Sequence, residues 1–320
     1  MVRKIGVLTS GGDSPGMNAA IRSVTRCALG AGIDVVGIRD GYKGLIEEKF
    51  EVFNKSSVSD ILSRGGTILG SARLKEFKNE EVQDQAVEVL KRNGIDALVV
   101  IGGDGSYRGA LSLTRKGINC IGLPGTIDND IPGTDFTIGF DTALQTCVEC
   151  VDKLRDTSSS HHRCSVVEVM GNRCGDLAIY TAITSGCEVC ITPETGYDEI
   201  ELMERLRYLE RSMHKNHAIV VVSEKLTDVD ALANKITNNT GFSARATILG
   251  HIQRGGSPSP KDRLLASQMG EKAIDLLMSG VGGHCVGIIE NKITSLPIEQ
   301  ALTETSSSRK YMYRLFERLV

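Results

Sequence analysis

Three apolar runs in this chain break off into glycine-rich turns that feed directly into helix-like segments: TSGGDSPGMNAAI from residue 9, IGGDGSYRGAL from residue 101 and VMGNRCGDLAI from residue 169. Glycine lets the backbone approach a ligand closely, and the helix that follows offers free N–H groups with a partial positive charge. A strand, such a turn and a helix, repeated, is the layout of an open α/β sheet, which gathers its ligands beyond the carboxyl ends of its strands. The rest of the chain continues the alternation. KIGVLTS, DVVGI, DALVVIGG, NCIGLPG, CSVVEVM, CEVCITP, HAIVVVSE and ATILGHI read as strands. Helix-like segments separate them. In NEEVQDQAVEVLKRNG, Val82, Ala86, Val89 and Leu90 share one face, acids fill the first turn and Gly94 follows the end. The order predicts two related α/β halves with mostly parallel sheets covered by helices on both faces. The serine clusters Ser158–Ser160 and Ser306–Ser308 mark loops.

The bulk numbers narrow the function. At 320 residues, 41% hydrophobic and 24% charged, the chain can bury a sizeable core. Its formal net charge of -3 gives no global attraction to nucleic acid or to an anionic membrane. The first apolar stretch is too short for a signal peptide, and no apolar run reaches membrane-spanning length, which together predict a cytoplasmic protein. Nine cysteines, an odd number, argue for reduced thiols. Cys147 with Cys150 and Cys187 with Cys190 have the spacing of two zinc knuckles. The first pair sits in a helix-like stretch and the second in a strand-like run, whose residues three apart face opposite sides, so these are expected as buried structural thiols.

The most pointed stretch is GLPGTIDNDI, residues 122–131, where Asp128, Asn129 and Asp130 crowd behind an apolar strand. Asx residues initiate turns cheaply, so a plain solvated turn is one reading. Asp104, however, also lies just past a strand end, so the sheet would collect three carboxylates along one edge. Mg²⁺ explains such a set, since it takes one or two protein carboxylates plus water and phosphate oxygens, leaving one aspartate free as a general base. In this picture Asp128 and Asp130 sit in an extended loop. Cations stand ready for an anionic substrate at Arg73, Arg163, Arg173, Arg245, His251 and Arg254. Neither common nucleotide motif is present. GGDSPG has Met17 and Asn18 where a P-loop needs lysine and a hydroxyl, and GDGSYRG misses the dinucleotide spacing by one residue.

GGDSPGMNAA, GGDGS, PGTIDNDI, VEVMG and LGHIQRGGSP, in this order and at these intervals, closely resemble the bacterial 6-phosphofructokinase family over residues 3 to 290. The resemblance implies two Rossmann-like three-layer domains: 1–139 with about 252–303 for ATP, and 140–251 with about 304–320 for the sugar phosphate. It implies phosphoryl transfer from ATP, with Mg²⁺, to the 1-hydroxyl of fructose 6-phosphate, the committed step of glycolysis, in a homotetramer with shared active sites. By the family pattern Asp128 is the base, Asp104 the main magnesium carrier and Asp130 a supporting acid that also bears on metal and substrate. Gly12 and Thr126 meet the transferring phosphoryl group. Arg73 and the loop Gly102, Gly103, Asp104, Gly105 and Ser106 hold ATP phosphates, with Tyr42 and Phe77 near the adenine. Met170, Gly171, Glu224, His251 and Arg254 face the sugar phosphate, and Arg163 and Arg245 reach across from a neighbouring subunit. Arg22, Arg26, Arg155, Glu188 and Lys215 match positions that bind an ADP, GDP or phosphoenolpyruvate effector.

The chain also departs from the pattern. The family reads Met-Gly-Arg where this chain has Met170, Gly171 and Asn172, with Arg173 one place later. Phosphoryl stabilisation would then fall to Arg173 swinging in or to a weaker hydrogen bond from Asn172. At the effector positions Met213 replaces a basic residue, and beyond residue 290 the match fades, leaving a tail read as helices. Pyrophosphate-dependent relatives carry an aspartate after GGD and a lysine after the proline of the TIDND loop. Gly105 and Gly125 stand there instead, which points to ATP. A sugar-phosphate sensor that has lost catalysis is the non-enzyme alternative that Asn172 keeps open.

Overall fold

The computed structural model describes residues 2–303 and 309–320; Ser306–Ser308 lie outside the described residues. In chain order the elements are β1 (Lys4–Ser10), α1 (Met17–Gly30), β2 (Asp34–Ile38), α2 (Gly41–Ile46), β3 (Phe50–Phe53), α3 (Glu80–Arg92), β4 (Ala97–Gly102), α4 (Asp104–Arg115), β5 (Asn119–Pro124) and α5 (Phe140–Ser160). They continue with β6 (Arg163–Val169), α6 (Asp176–Ser185), β7 (Val189–Ile191), α7 (Glu199–Arg211), β8 (Ala218–Ser223), α8 (Val229–Asn239) and β9 (Ser243–Ile248). The last are α9 (Pro260–Met278), β10 (His284–Ile289), β11 (Lys292–Pro297), α10 (Ile298–Ala301) and α11 (Arg309–Leu319). The described chain forms two compact units, one of residues 2–127, 131–142 and 254–303, the other of 128–130, 143–253 and 309–320.

The first unit holds a seven-stranded sheet in the order β11-β10-β5-β4-β1-β2-β3. Its inner pairings are parallel, while β3 and β11 close the two edges antiparallel. Side chains alternate across it. Ala97, Val99 and Ile101 of β4 pack with α1 and α9 in one core cluster, whereas Leu98 and Val100 pack with α3 and α4 in a second. Two cores on opposite faces make the three layers, and burial on both faces is why β1 and β4 read as continuous apolar runs. The chain runs from β1 outward to β2, then returns to place β4 on the other side of β1. The strand order therefore reverses between β1 and β4, where Ser10 pairs with Gly102. The turns after these two strands open at that reversal, the place where doubly wound sheets bind ligands.

The second unit is a four-stranded parallel sheet, β7-β8-β6-β9, with a core of its own. Helices α7 and α8 cover one face, and α6 packs beside β7 and β8 with α11 against it. β6 and β8 pair with Val169 opposite Ser223, so the turns that leave their carboxyl ends are neighbours.

Several expectations need correction. Ser158–Ser160 end α5 rather than forming a loop. The hydroxyls of Ser159 and Ser160 donate back to the Asp156 carbonyl, and the Ser158 hydroxyl pairs with Ser165 at 2.7 Å, so the last turn keeps its polar groups satisfied. The run ATILGHI is strand only to Ile248, since β9 begins earlier, at Ser243, and Gly250–Arg254 form a short 3₁₀ turn. The tail is not all helix: β11 pairs antiparallel with β10, and β10 and β3 are further strands beyond the expected eight. Asp128–Asp130 is not an extended loop, because Asn129 adopts a left-handed conformation with φ 51°. All nine cysteines are free, but Cys150 and Cys190 are only partly buried, so full burial holds for Cys147 and Cys187 alone of the two pairs.

Candidate active site

In the first unit the reversal between β1 and β4 carries the nucleotide-type turns. Helix α4 starts at Asp104 with Gly103 as its N-cap, and helix α1 starts after Gly16; no side chain caps either N-terminus, and although backbone carbonyls take the Met17 and Ser106 N–H groups, the Asp104 and Gly105 amides of α4 are left for an anion. A Cβ placed on Gly103 or Gly105 would meet no atom within 4 Å, so the space over this helix end is open. The Asp104 carboxylate is exposed and, among the described residues, pairs only with Arg108, at 3.5 Å across one helical turn. Arg73 is exposed on a loop. The Ser106 hydroxyl is buried and donates to the Ser10 carbonyl at 3.0 Å, tying the two turns together. Tyr42 and Phe77 stack at 4.2 Å between ring centroids and are almost wholly buried, with the Tyr42 hydroxyl donating to the Ser106 carbonyl at 2.6 Å. Both rings thus belong to the core beneath the 102–106 turn. Thr126 is held through its backbone: its N–H donates to the Ile138 carbonyl at 3.1 Å, and its own carbonyl accepts from the Thr137 hydroxyl at 2.7 Å. Arg254 lies against Gly12, with Nη1 donating to the Asp13 carbonyl at 3.1 Å.

In the second unit the acids of TIDND meet the turn after β6. Asn129 donates through Nδ2 to buried Asp176 at 2.9 Å, in the first turn of α6, which pins the Asp128–Asp130 segment. Gly171 has φ +139°, and a Cβ there would sit 2.4 Å from the Cys174 carbonyl, so only glycine fits this bend. The bend aims Asn172, itself left-handed at φ 61°, at two acids. Its Nδ2 donates to Asp130 at 3.3 Å and its backbone N–H donates to Glu224 at 2.8 Å. Arg173, by contrast, is exposed and makes no hydrogen bond or ion pair with any described residue. Gln253, fully buried, accepts from the Met170 N–H at 3.0 Å and from the Cys147 thiol at 3.2 Å. Burial, aided by the Glu224 and Asp228 charges, raises the Glu168 carboxyl above its ordinary range.

Arg163 starts β6 and Arg245 lies on β9, the sheet's edge strand. Arg163 pairs with Ser243 and Arg245 with Ser165, so the two arginines share one sheet face, opposite the face that buries Cys164 and Ala244. His251 is exposed on the 3₁₀ turn.

Two further clusters contain the expected effector residues. Arg22 and Arg26, one turn apart on α1, line a cavity of about 420 Å³ with Ser59, Asp60 and Arg263. In the second unit buried Glu188 bonds Lys215 at 2.6 Å and lies 3.8 Å from Arg155. Beside them His217 is held below its ordinary pKa, by burial first and then by the neighbouring Arg155 and Lys215 charges, against the pull of Glu188.

The sequence alone does not point to Gln253 or Asp176, and it gives Asn129 no role of its own. Asn129 stood inside the quoted loop, and its tolerance of left-handed backbone was the available signal. Gln253 stood inside HIQRGG, where only its two basic neighbours were weighed.

A family model for phosphofructokinase matches residues 4–277. The chain belongs to the phosphofructokinase family. Among phosphofructokinases it is 56% identical over 320 residues to the ATP-dependent 6-phosphofructokinase of Vibrio vulnificus, covering all of both chains. It is 55% identical to that of Vibrio cholerae, again over both full lengths. The phosphofructokinase structure from Saccharomyces cerevisiae superposes with a TM-score of 0.86 at 36% identity, covering 99% of this chain and 48% of the yeast chain. The chain thus spans about half the length of the yeast protein. Among the described residues no helix is long and apolar enough to cross a membrane, and no three or more His, Cys, Asp and Glu side chains cluster so as to hold a metal alone.

Proposed function

We propose that this chain is an ATP-dependent 6-phosphofructokinase, transferring the γ-phosphoryl group of ATP to the 1-hydroxyl of fructose 6-phosphate and releasing ADP, the committed step of glycolysis. The observation that carries this reading is the end-to-end match to relatives of that activity. The geometry supplies matching parts. Uncapped amides at 103–105 and the exposed Arg73 suit the ATP phosphates, and Thr126 with Gly12 suits the phosphoryl group in transfer. Asp128 accepts the hydroxyl proton as that oxygen attacks phosphorus, with Asp130 beside it in the segment pinned by Asn129. Asp104, whose carboxylate faces solvent, and Asp130 are assigned to Mg²⁺, which takes one or two carboxylates from protein and would neutralise phosphate charge. Glu224, Met170, Gly171, His251 and Arg254 are assigned to the sugar phosphate, with Arg163 and Arg245 serving a neighbouring subunit of a homotetramer. Asn172 takes over the hydrogen-bonding role of the family arginine. ATP is favoured over pyrophosphate because Gly105 leaves empty space where an aspartate would repel the α-phosphate.

Regulation is part of the proposal. The arginine-lined cavity on α1 and the Arg155–Glu188–Lys215 cluster suit an anionic effector such as ADP, GDP or phosphoenolpyruvate. Nine free thiols and glycolytic substrates suit the cytoplasm. Formation of fructose 1,6-bisphosphate from fructose 6-phosphate and Mg²⁺, compared with ATP and with pyrophosphate, tests the reading. Turnover with ATP alone is expected. Turnover with pyrophosphate alone overturns the donor assignment, and none with either leaves a sugar-phosphate sensor.

A further inference from the structure

The turn after β8 places a cation beside Asn172. Lys225 follows Glu224 in the turn after β8. Because β6 and β8 pair in parallel with Val169 opposite Ser223, and the Glu224 N–H donates to the Val169 carbonyl at 2.9 Å, this turn lies against the bend at Gly171. Lys225 Nζ donates to Asn172 Oδ1 at 2.9 Å and stands 3.9 Å from Glu224 Oε1. The Asn172 carboxamide therefore bridges an ammonium and a carboxylate: its oxygen faces Lys225 and its Nδ2 faces Asp130. An ammonium only donates, so it fixes which end of the amide points at Asp130. Lys225 also has φ 68°, a left-handed conformation that a long unbranched side chain gains nothing from on its own, and more than half of its side chain remains accessible.

We infer that Lys225 is a positioning residue for phosphoryl transfer, which orients Asn172 toward Asp130 and places a positive charge beside Asn172 and Glu224. The inference rests on the proposed phosphofructokinase activity. Three of the four polar groups in the chain of contacts, Asp130, Asn172 and Glu224, are already assigned to the site. Lys225 is the cation that joins them. Its two remaining N–H donors are free to face an anionic substrate group.

The test is steady-state kinetics of the full-length enzyme with ATP and fructose 6-phosphate, for wild type, Lys225→Met, Lys225→Asn and Lys225→Arg, with melting temperatures. Lys225→Asn removes the charge while keeping a residue that tolerates left-handed backbone, so it guards against a folding defect in the methionine variant. The expected result is a fall in kcat of about tenfold to a hundredfold in both neutral variants, with KM for ATP unmoved. Lys225→Arg restores most of the rate. Adding Asn172→Ala to Lys225→Met costs little more than either change alone, because both break one chain of contacts. Neutral variants with wild-type kcat overturn the inference, as does a loss of rate that follows Tm and that arginine does not restore. Wild-type protein that turns over neither donor overturns the functional reading, and this inference with it; active wild type with unmoved Lys225 variants overturns this inference alone.

Discussion

The Arg254 guanidinium rests on Gly12: a Cβ built on that glycine would stand 2.1 Å from Nη1 and 2.9 Å from Cζ. The backbone of Gly12 is not in the left-handed region, so alanine costs nothing in conformation. What alanine does is push away the end of a flexible side chain. Gly12→Ala is therefore expected to fold with an unchanged Tm while kcat/KM for fructose 6-phosphate falls by about 10²-fold, the usual penalty for displacing a substrate-holding group by an ångström. Full activity in this variant would show that Arg254 holds no substrate from the position seen here.

Asp128 is assigned the proton. Asp128→Asn keeps the size of the side chain and one acceptor oxygen but removes the base. It lowers kcat by about 10²- to 10⁴-fold and leaves KM for ATP near its wild-type value. A rise in KM with kcat intact would instead make Asp128 a binding residue.

These assignments differ in how far the sequence alone could reach them. β1, β4 and β8 are buried on both faces, and such strands announce themselves as unbroken apolar runs. β11, with every residue partly or wholly exposed, carries no such signal, and its pairing with β10 depends on the turn between them. The same distinction holds in the site. Asp104 and Asp128 stand past strand ends and are legible from position, whereas Glu224 enters only through the family resemblance. Lys225 and Gln253 are not legible, because what each does depends on which strands are neighbours and in which register, and that is fixed by packing of the whole unit. Tyr42 and Phe77 show the converse: a pair far apart in sequence proves to be stacked in one core.

The buried thiols set the alkaline limit of stability. Burial pushes the Cys120, Cys147 and Cys187 thiols well above the ordinary thiol range, to about 12. A pKa raised on folding means that the folded chain holds protons the unfolded chain gives up. The stabilisation is complete below about pH 9 and is lost as pH rises toward 12. Denaturant midpoints measured from pH 8 to 11 should fall steadily, and Cys120→Val, which packs without an ionisable group, should flatten that fall. The same thiols should resist an alkylating reagent at pH 8 until the chain is unfolded, while partly exposed Cys150 reacts in the native state.

Donor choice can be tested at two glycines whose surroundings differ. At Gly105 a Cβ meets nothing within 4 Å, so Gly105→Asp is expected to keep the wild-type Tm. Its carboxylate then opposes the ATP phosphates at the N-terminus of α4, and KM for ATP should rise by about tenfold or more, equivalent to about 1.4 kcal/mol. Gly125 is different. A Cβ there would lie 2.9 Å from Ile101 Cγ2 and 3.2 Å from Met17 Cε, both in the buried core of the first unit. Gly125→Lys must shift packed side chains and is expected to cost about 1–3 kcal/mol of stability, read as a lowered denaturant midpoint. Converting this chain to pyrophosphate use therefore needs more than the two substitutions, since the lysine has first to be given room. A doubly substituted chain that folds as well as wild type and prefers pyrophosphate would show that the core around Met17 yields more easily than its packing implies.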